Sequence, residues 1–385
     1  MRVVAMGLGG AGCRMVDTLY AKDRKFGKVI CLDAIAVDRD SDVLTSLSSI
    51  PDMQKLFFPS LDPHHPDDIL ENITIEEIIE KIQRLDTGDI DAILLCMGLG
   101  GTMAEAAPRI IQSIRKVMVE PVFGLFTLPC VAEGELRTVR AADNLDLLDP
   151  MLDGIIIFDN EIWYPKAGRL MSEKKEQVNR SFVPGSGKVQ LDRNLHLRTF
   201  DQINDLIAQR FGLLLRAGEF HESPGRDVGE VVLDTGEVLN TMRGMGFIAL
   251  GYATEEIVKG GFEFIRHFKL PGTSFEDSHT KAIRLVSLAK RAVYEEISIQ
   301  CDLSTAEKGL ILIAGPTHEI SMKGSMTVRK WIDRSIAGRE VRSGDYPLSH
   351  SRYVAILILL AGVRPIPRID EIRRIRDQGK PVANP

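Results

Sequence analysis

Several common protein classes are excluded by what this chain lacks. No apolar run is long enough to cross a bilayer as a helix; the longest, Tyr353 to Val363, falls well short of the roughly 20 residues required. Cysteine is sparse: Cys13, Cys31, Cys96, Cys130 and Cys301 are scattered, odd in number and form no Cys-x-x-Cys pair. Such usage argues against a disulfide framework and suits a reducing cytoplasm, where a thiol packs as a small hydrophobe. Positive charge is not in excess, since 48 Lys and Arg face 54 Asp and Glu for a net charge of −6. The basic residues are dispersed among acidic ones, so the electrostatic footprint of nucleic-acid binding is missing. No internal repeat or low-complexity tract is evident. Arg2-Val3-Val4-Ala5-Met6 reads as a strand almost at once, with no charged stretch ahead of it to open a cleavable signal. A cytoplasmic protein with neither a nucleic-acid partner nor an integral membrane segment is expected.

What is present is enough for two cores. With 385 residues, 44% hydrophobic and 26% charged, the chain accommodates one large α/β domain and a smaller second one. Near-continuous apolar runs at Val3–Met6, Val29–Val37, Ala92–Met97, Val122–Phe126 and Gly154–Phe158 suit strands of a parallel sheet covered on both faces. Ala11–Tyr20, Thr74–Leu85, Ala104–Val117 and Leu136–Leu148 read as the crossover helices between them. Residues 164–195, with Pro165 and Pro184-Gly185-Ser186-Gly187, break the pattern and read as an exposed insertion. From Leu195 to Arg216 a helical stripe returns, long enough to bridge two domains. Beyond a polar loop at Glu222–Gly229, a helix at His279–Ile297 and strands at Leu310–Ala314 and Tyr353–Gly362 fit a smaller α+β domain.

Two glycine-rich turns carry the chemistry: Gly7-Leu8-Gly9-Gly10-Ala11-Gly12 and Gly98-Leu99-Gly100-Gly101-Thr102. Each lies between an apolar run and a helical stretch. Glycine lets backbone approach a ligand closely, and N–H groups opening a helix point where an anion would sit. Either turn alone is explained equally well as tight strand-to-helix packing; two such turns suggest a polyphosphate held from both sides. Gly7, Gly9 and Gly12 also fit the dinucleotide fingerprint, with Asp38 or Asp40 as its ribose-binding acid, so an NAD-dependent dehydrogenase is a rival reading. Against it stand the second turn and the lack of an evident catalytic His or Lys constellation in the C-terminal half. Thr102 offers a hydroxyl to a phosphate oxygen or a magnesium-bound water, or else caps a helix. Asp62, His64, His65, Asp67 and Asp68 are metal-ligand types without a fixed spacing and read as a solvated loop, so no protein-held metal is expected.

The motifs, taken in order along nearly the whole chain, resemble the tubulin/FtsZ superfamily. Gly7–Gly12 is similar to its first phosphate loop, and Met97-Gly-Leu-Gly-Gly-Thr-Met-Ala-Glu-Ala-Ala-Pro108 to its glycine-rich signature. Thr127-Leu-Pro-Cys-Val-Ala-Glu-Gly-Glu-Leu-Arg137 resembles the loop that places Glu133 and Arg137 near the ribose. Asp159-Asn160, and Phe200 with Asn204 and Asp205, match purine contacts. Val231–Met242 resembles the synergy loop, inserted by one subunit into its neighbour's site, with acids at Asp234 and Glu237. Val341-Arg-Ser-Gly-Asp-Tyr-Pro347, Leu357–Val363 and Pro367-Arg-Ile369 look most like the archaeal CetZ branch. Departures fall at Leu99, Met103, Ala104 and Glu105 in the signature loop, at Cys13-Arg14 after the first, and at Val232.

The resemblance implies a tubulin/FtsZ-like α/β fold: a parallel-sheet, Rossmann-like GTPase domain (1–194), a central bridging helix (195–222), a synergy loop with an α+β C-terminal domain (223–365), and a C-terminal helix or tail (366–385). It implies GTP or GDP with Mg²⁺ bound through Gly9, Gly10, Ala11, Gly12, Cys13, Arg14, Gly100, Gly101, Thr102, Glu133, Arg137, Asn160, Phe200, Asn204 and Asp205. Asp234 and Glu237 would be catalytic across a head-to-tail homopolymer. From spacing alone, Asp234 and Glu237 are better read as favourable charge placement in a helix's first turn, and only the resemblance reverses that reading; Phe200 equally suits the core. The chain shows no long linker with a terminal adaptor-binding peptide after Arg373-Arg374-Ile375-Arg376, so cell shape is expected over division, with any membrane adaptor unknown. A nucleotide-dependent scaffold with little or no hydrolysis is the second rival.

Overall fold

The computed structural model describes residues 1–26, 30–59, 73–85, 90–180, 195–217, 233–257, 273–348 and 351–379. The chain divides into two compact units, one of Arg2–Gly212 with the segment from Arg368 onward, the other of Leu213–Pro367 with Met1.

In the first unit the elements run β1 (Val3–Leu8), α1 (Gly9–Phe26), β2 (Leu32–Asp38), α2 (Ser41–Ser46), β3 (Lys55–Phe57), α3 (Ile75–Leu85) and β4 (Ala92–Gly98). They continue through α4 (Ala107–Val117), β5 (Val122–Leu128), α5 (Glu135–Leu148), β6 (Gly154–Asp159) and α6 (Asn160–Arg180), and α7 (Leu195–Arg216) belongs to this unit as far as Gly212. The strands pair in the order β3-β2-β1-β4-β5-β6, all parallel. Val3–Leu8 and Val122–Leu128 are buried throughout, as strands covered on both faces must be. From β1 the connections go outward to β2 on one side and to β4 on the other, so the order reverses at β1. A crevice beyond the strand carboxyl ends opens at such a reversal. Both glycine turns follow these strands, side by side, with Leu8 in register with Met97.

The second unit comprises α8 (Thr235–Met242), β7 (Phe247–Glu256), α9 (Thr273–Tyr294), β8 (Lys308–Gly315), α10 (Met322–Ser335), β9 (Glu340–Pro347) and β10 (Tyr353–Ala361). Its strands are ordered β7-β10-β8-β9, with β10 antiparallel to both neighbours and β8 parallel to β9. The chain then returns to the first unit as α11 (Pro367–Gly379). No helix among the described residues is long and apolar enough to cross a membrane.

Two readings need correction. Residues 160–180, expected from 164 onward to break the pattern, form α6 with Pro165 inside it. Pro165 lies in the second turn, where the missing N–H costs a single bond without ending the helix. The remainder of that stretch, residues 181–194, and Glu222–Gly229 lie outside the described residues. The signature-loop helix begins at Ala107 rather than Ala104, because Thr102–Ala106 form a 3₁₀ turn first.

Candidate functional site

One cavity of about 430 Å³ lies in the first unit beyond the ends of β1, β2, β4 and β5. Its size falls within the range of small-molecule sites. From the two turns it takes Gly9, Gly10, Ala11, Gly98, Gly100, Gly101 and Thr102, and Arg14 from the next position of α1. The first turn runs directly into an α-helix, so its N–H groups are among the four that a helix leaves unpaired. Gly9 adopts φ +70°, a left-handed conformation that a side chain disfavours. The second turn opens the 3₁₀ segment with Gly101 at the N-cap and no side-chain cap. Thr102 therefore does not cap it. Neither the Thr102 hydroxyl nor the Arg14 guanidinium is hydrogen-bonded to any described residue, and Arg14 makes no ion pair there. Of the residues that depart from the superfamily's usual ones, Leu99 is buried away from the cavity, whereas Met103 and Ala104 are buried yet share its wall with Gly100, Gly101 and Thr102.

Glu133, Arg137, Asn160, Phe200 and Asn204 close the cavity's other sides. The Glu133 carboxylate is held from three directions: Oε1 accepts from the Cys130 backbone N–H at 3.0 Å and the Asn160 amide at 3.2 Å, and Oε2 pairs with Arg137 at 2.9 Å. Asn160 Oδ1 is buried without a hydrogen-bond partner among the described residues. Phe200 packs on Tyr164 with ring centroids 5.4 Å apart, leaving it half-buried on the cavity wall one helical turn from Asn204.

Three of the expected nucleotide residues are not on the wall. At Gly12 a Cβ would lie 2.1 Å from the Cys96 carbonyl oxygen, so this glycine lets α1 cross β4 closely. The Cys13 thiol points into the core toward the carbonyls of Gly7 and Val37, and burial pushes its pKa up. Asp205, one residue past Asn204, turns outward and pairs with Lys22 at 2.9 Å. Conversely Arg39, Val43, Pro129, Leu197 and Ile203 line the cavity without having been anticipated. Only their adjacency to recognised loop residues could have flagged them.

Asp38 and Asp40, the ribose acids of the dehydrogenase reading, line the cavity but are largely committed to their own turn. Asp38 Oδ1 accepts from the N–H groups of Arg39 and Asp40, and burial raises its pKa. Asp40 caps α2 through the Asp42 N–H.

Asp234 and Glu237 form a capping box at the start of α8 in the second unit. Asp234 Oδ1 accepts from the Glu237 N–H at 2.8 Å, and Glu237 Oε2 from the Asp234 N–H at 3.3 Å. Glu237 Oε1 also pairs with Arg342 of β9 at 2.9 Å. Asp234 is exposed and Glu237 half-buried, so the helix-cap role and solvent access coexist. Among the described residues no group of three or more His, Cys, Asp or Glu side chains is arranged to hold a metal. The Asp62–Asp68 cluster lies outside them.

Known proteins resemble this chain in sequence and in fold. Residues 196–378 match the family model described as "Tubulin-like CetZ, C-terminal domain". The tubulin-like protein CetZ1 of Haloferax volcanii is 31% identical over 397 aligned positions, covering 97% of this chain and 91% of that protein. The structure described as a GDP-bound monomer of CetZ1 superposes with a TM-score of 0.76 at 27% identity, covering 98% of this chain and 99% of that one. A GTPγS-bound protofilament of Haloferax volcanii CetZ2 superposes with a TM-score of 0.75 at 27% identity, covering 98% of each chain. With this extent of identity along nearly its whole length, the chain belongs to the CetZ family of tubulin-like proteins.

Proposed function

We propose that the cavity binds GTP and GDP, and that the protein hydrolyses GTP while assembling head to tail into cytoskeletal filaments. The observation that carries this reading is that two glycine turns from neighbouring parallel strands face one cavity, with Arg14 and Arg137 beside them. Backbone N–H groups on two sides and two guanidiniums suit a polyphosphate; a dinucleotide fingerprint needs one glycine turn. Glu133 offers carboxylate oxygens to sugar hydroxyls, Phe200 a ring face to the base, and Asn160 and Asn204 amides to its edge. Family membership supports the same ligand, since the two superposed relatives are described as carrying GDP and GTPγS, the second as a protofilament.

A Mg²⁺ accompanying the nucleotide would be held by phosphate oxygens and water together with few protein oxygens. The Thr102 hydroxyl, not hydrogen-bonded to any described residue, is the oxygen that would meet it or its water shell. The ion would offset phosphate charge.

Asp234 and Glu237 act on the γ-phosphate of a neighbouring subunit in this reading. Phosphoryl transfer to water asks mainly for positioning and electrostatics, and a carboxylate can orient the attacking water. An open polymer follows from a heterologous interface that does not close. Hydrolysis per subunit then rises with protein concentration. Glu237→Gln keeps the side chain's shape and removes its charge, so turnover falls about 10²-fold or more while GTP binding persists. Phosphate release measured over a concentration series decides: a rate per subunit independent of concentration, or unchanged in Glu237→Gln, would contradict the shared site.

A further inference from the structure

A buried arginine beneath the cavity belongs to α11 rather than to any cavity loop. Arg368, the first residue after the chain re-enters the first unit, is 7% exposed. Its Nη2 donates to the Pro129 carbonyl at 2.8 Å and its Nη1 to Glu371 at 2.7 Å. Its Nε lies 3.5 Å from Asp159 Oδ1, at the carboxyl end of β6. Pro129 lines the cavity and opens the stretch that ends in Glu133. The next two backbone groups are held too: the Cys130 N–H by Glu133 and the Val131 N–H by Glu161 at 2.7 Å. Three polar groups of two successive peptides are thus tied to side chains from α11, from α6 and from the loop itself.

A peptide is planar, so fixing the Pro129 carbonyl also fixes the direction of the Cys130 N–H, which is the donor that holds Glu133. Burying a guanidinium is costly unless it is paired and hydrogen-bonded. Here Asp159 and Glu371 provide the pairing and the Pro129 carbonyl and Glu371 accept from the two Nη groups, while Nε has no hydrogen-bond partner among the described residues.

We propose that Arg368 is a positioning residue for nucleotide binding: from α11 it holds the Pro129–Glu133 loop in the geometry that presents Glu133 to the sugar. The inference rests on the reading of the cavity as a GDP and GTP site. It gives the C-terminal helix a role in ligand affinity without a contact to the ligand.

The test is equilibrium binding of GDP to the full chain. Arg368→Met alone leaves Asp159 buried without its cation, so the informative variant is the double change Arg368→Met with Asp159→Asn, which removes both charges. It is expected to unfold thermally near the wild type yet bind GDP about tenfold more weakly, the effect of losing one charged hydrogen bond. In a Glu133→Ala background the same double change should cost less than about twofold more, because residues acting through one another are not additive. Arg368→Lys, which keeps a cation near Asp159 and one donor, should fall between. Undiminished affinity in the folded double variant would overturn the inference, as would a full additional tenfold loss in the Glu133→Ala background. A wild-type chain that bound no GDP would overturn the nucleotide reading itself, a result distinct from either.

Discussion

The two glycine turns share the sequence Gly-Leu-Gly-Gly but divide their labour differently. In the first, Gly12 is consumed by packing, where a Cβ would strike the Cys96 carbonyl, whereas a Cβ on Gly10 would meet only ordinary contacts at 3.5 Å or more. In the second, Gly100 is pressed by Arg137, with a Cβ 2.9 Å from its backbone oxygen, while Gly101 has a single neighbour at 3.3 Å. Each turn thus contains a glycine demanded by the fold and one demanded, on this account, by the ligand. Like sequence does not mean like cause. A glycine motif is decided position by position, by what a methyl group would meet.

That division is broken most severely at Gly12. Gly12→Ala forces α1 off β4 and is expected to cost more than about 4 kcal/mol, in the range of severe overpacking. Denaturant unfolding checks it; a loss below about 1 kcal/mol would mean the turn relaxes and the distinction fails.

Asp159 shows the difference between a wall and its support through pH. Burial pushes its pKa up to about 6 despite the opposing Arg368 charge. The folded state therefore takes a proton that the unfolded chain, near 3.9, does not yet hold. Stability of the wild type relative to Asp159→Asn should rise as pH falls from 7.5 to 5, by about 1 kcal/mol. Parallel pH profiles for the two proteins would contradict this.

A smaller effect belongs to Asp146, where α11 is fastened to α5. Burial would raise its pKa, but hydrogen bonds from Arg376 and Arg373 outweigh it and the pKa is lowered. The stabilisation is present above the unfolded carboxylate value and is lost as pH falls through the lowered folded value. The pair is partly solvent-screened, so Asp146→Ala should cost at most about 1 kcal/mol near neutral pH, and nucleotide affinity should not change. A loss of affinity would show that the whole helix, rather than Arg368, supports the loop.

Much of the first unit was legible because its strands are buried on both faces and read as apolar runs bounded by glycine. The second unit gave less. β9 (Glu-Val-Arg-Ser-Gly-Asp-Tyr-Pro) carries little apolar signal, and α10 shows only Gly324, Val328 and Ile332 as a buried stripe. At the site, the expected residues that line the cavity were those named from the order of the loops along the chain. Gly12, Cys13 and Asp205 were assigned by adjacency, and only three-dimensional packing reveals that they face the core or the outside. Arg368 falls in the Pro367-Arg-Ile369 stretch that resembles the CetZ branch, yet no role could be read for it, because it lies far along the chain from the loop it touches.

The central claim, that both turns hold one polyphosphate, is tested most directly by GTP binding to Gly10→Ala and Gly101→Ala. Neither added methyl meets backbone closer than 3.3 Å. Melting temperatures should therefore stay within about 3 °C of the wild type, with Gly10→Ala favoured slightly by its helical position. GTP affinity should fall in each by about tenfold or more, because the methyl occupies the space through which backbone approaches phosphate. Undiminished affinity in either folded variant would show that its turn is only a turn, and would contradict the two-sided site.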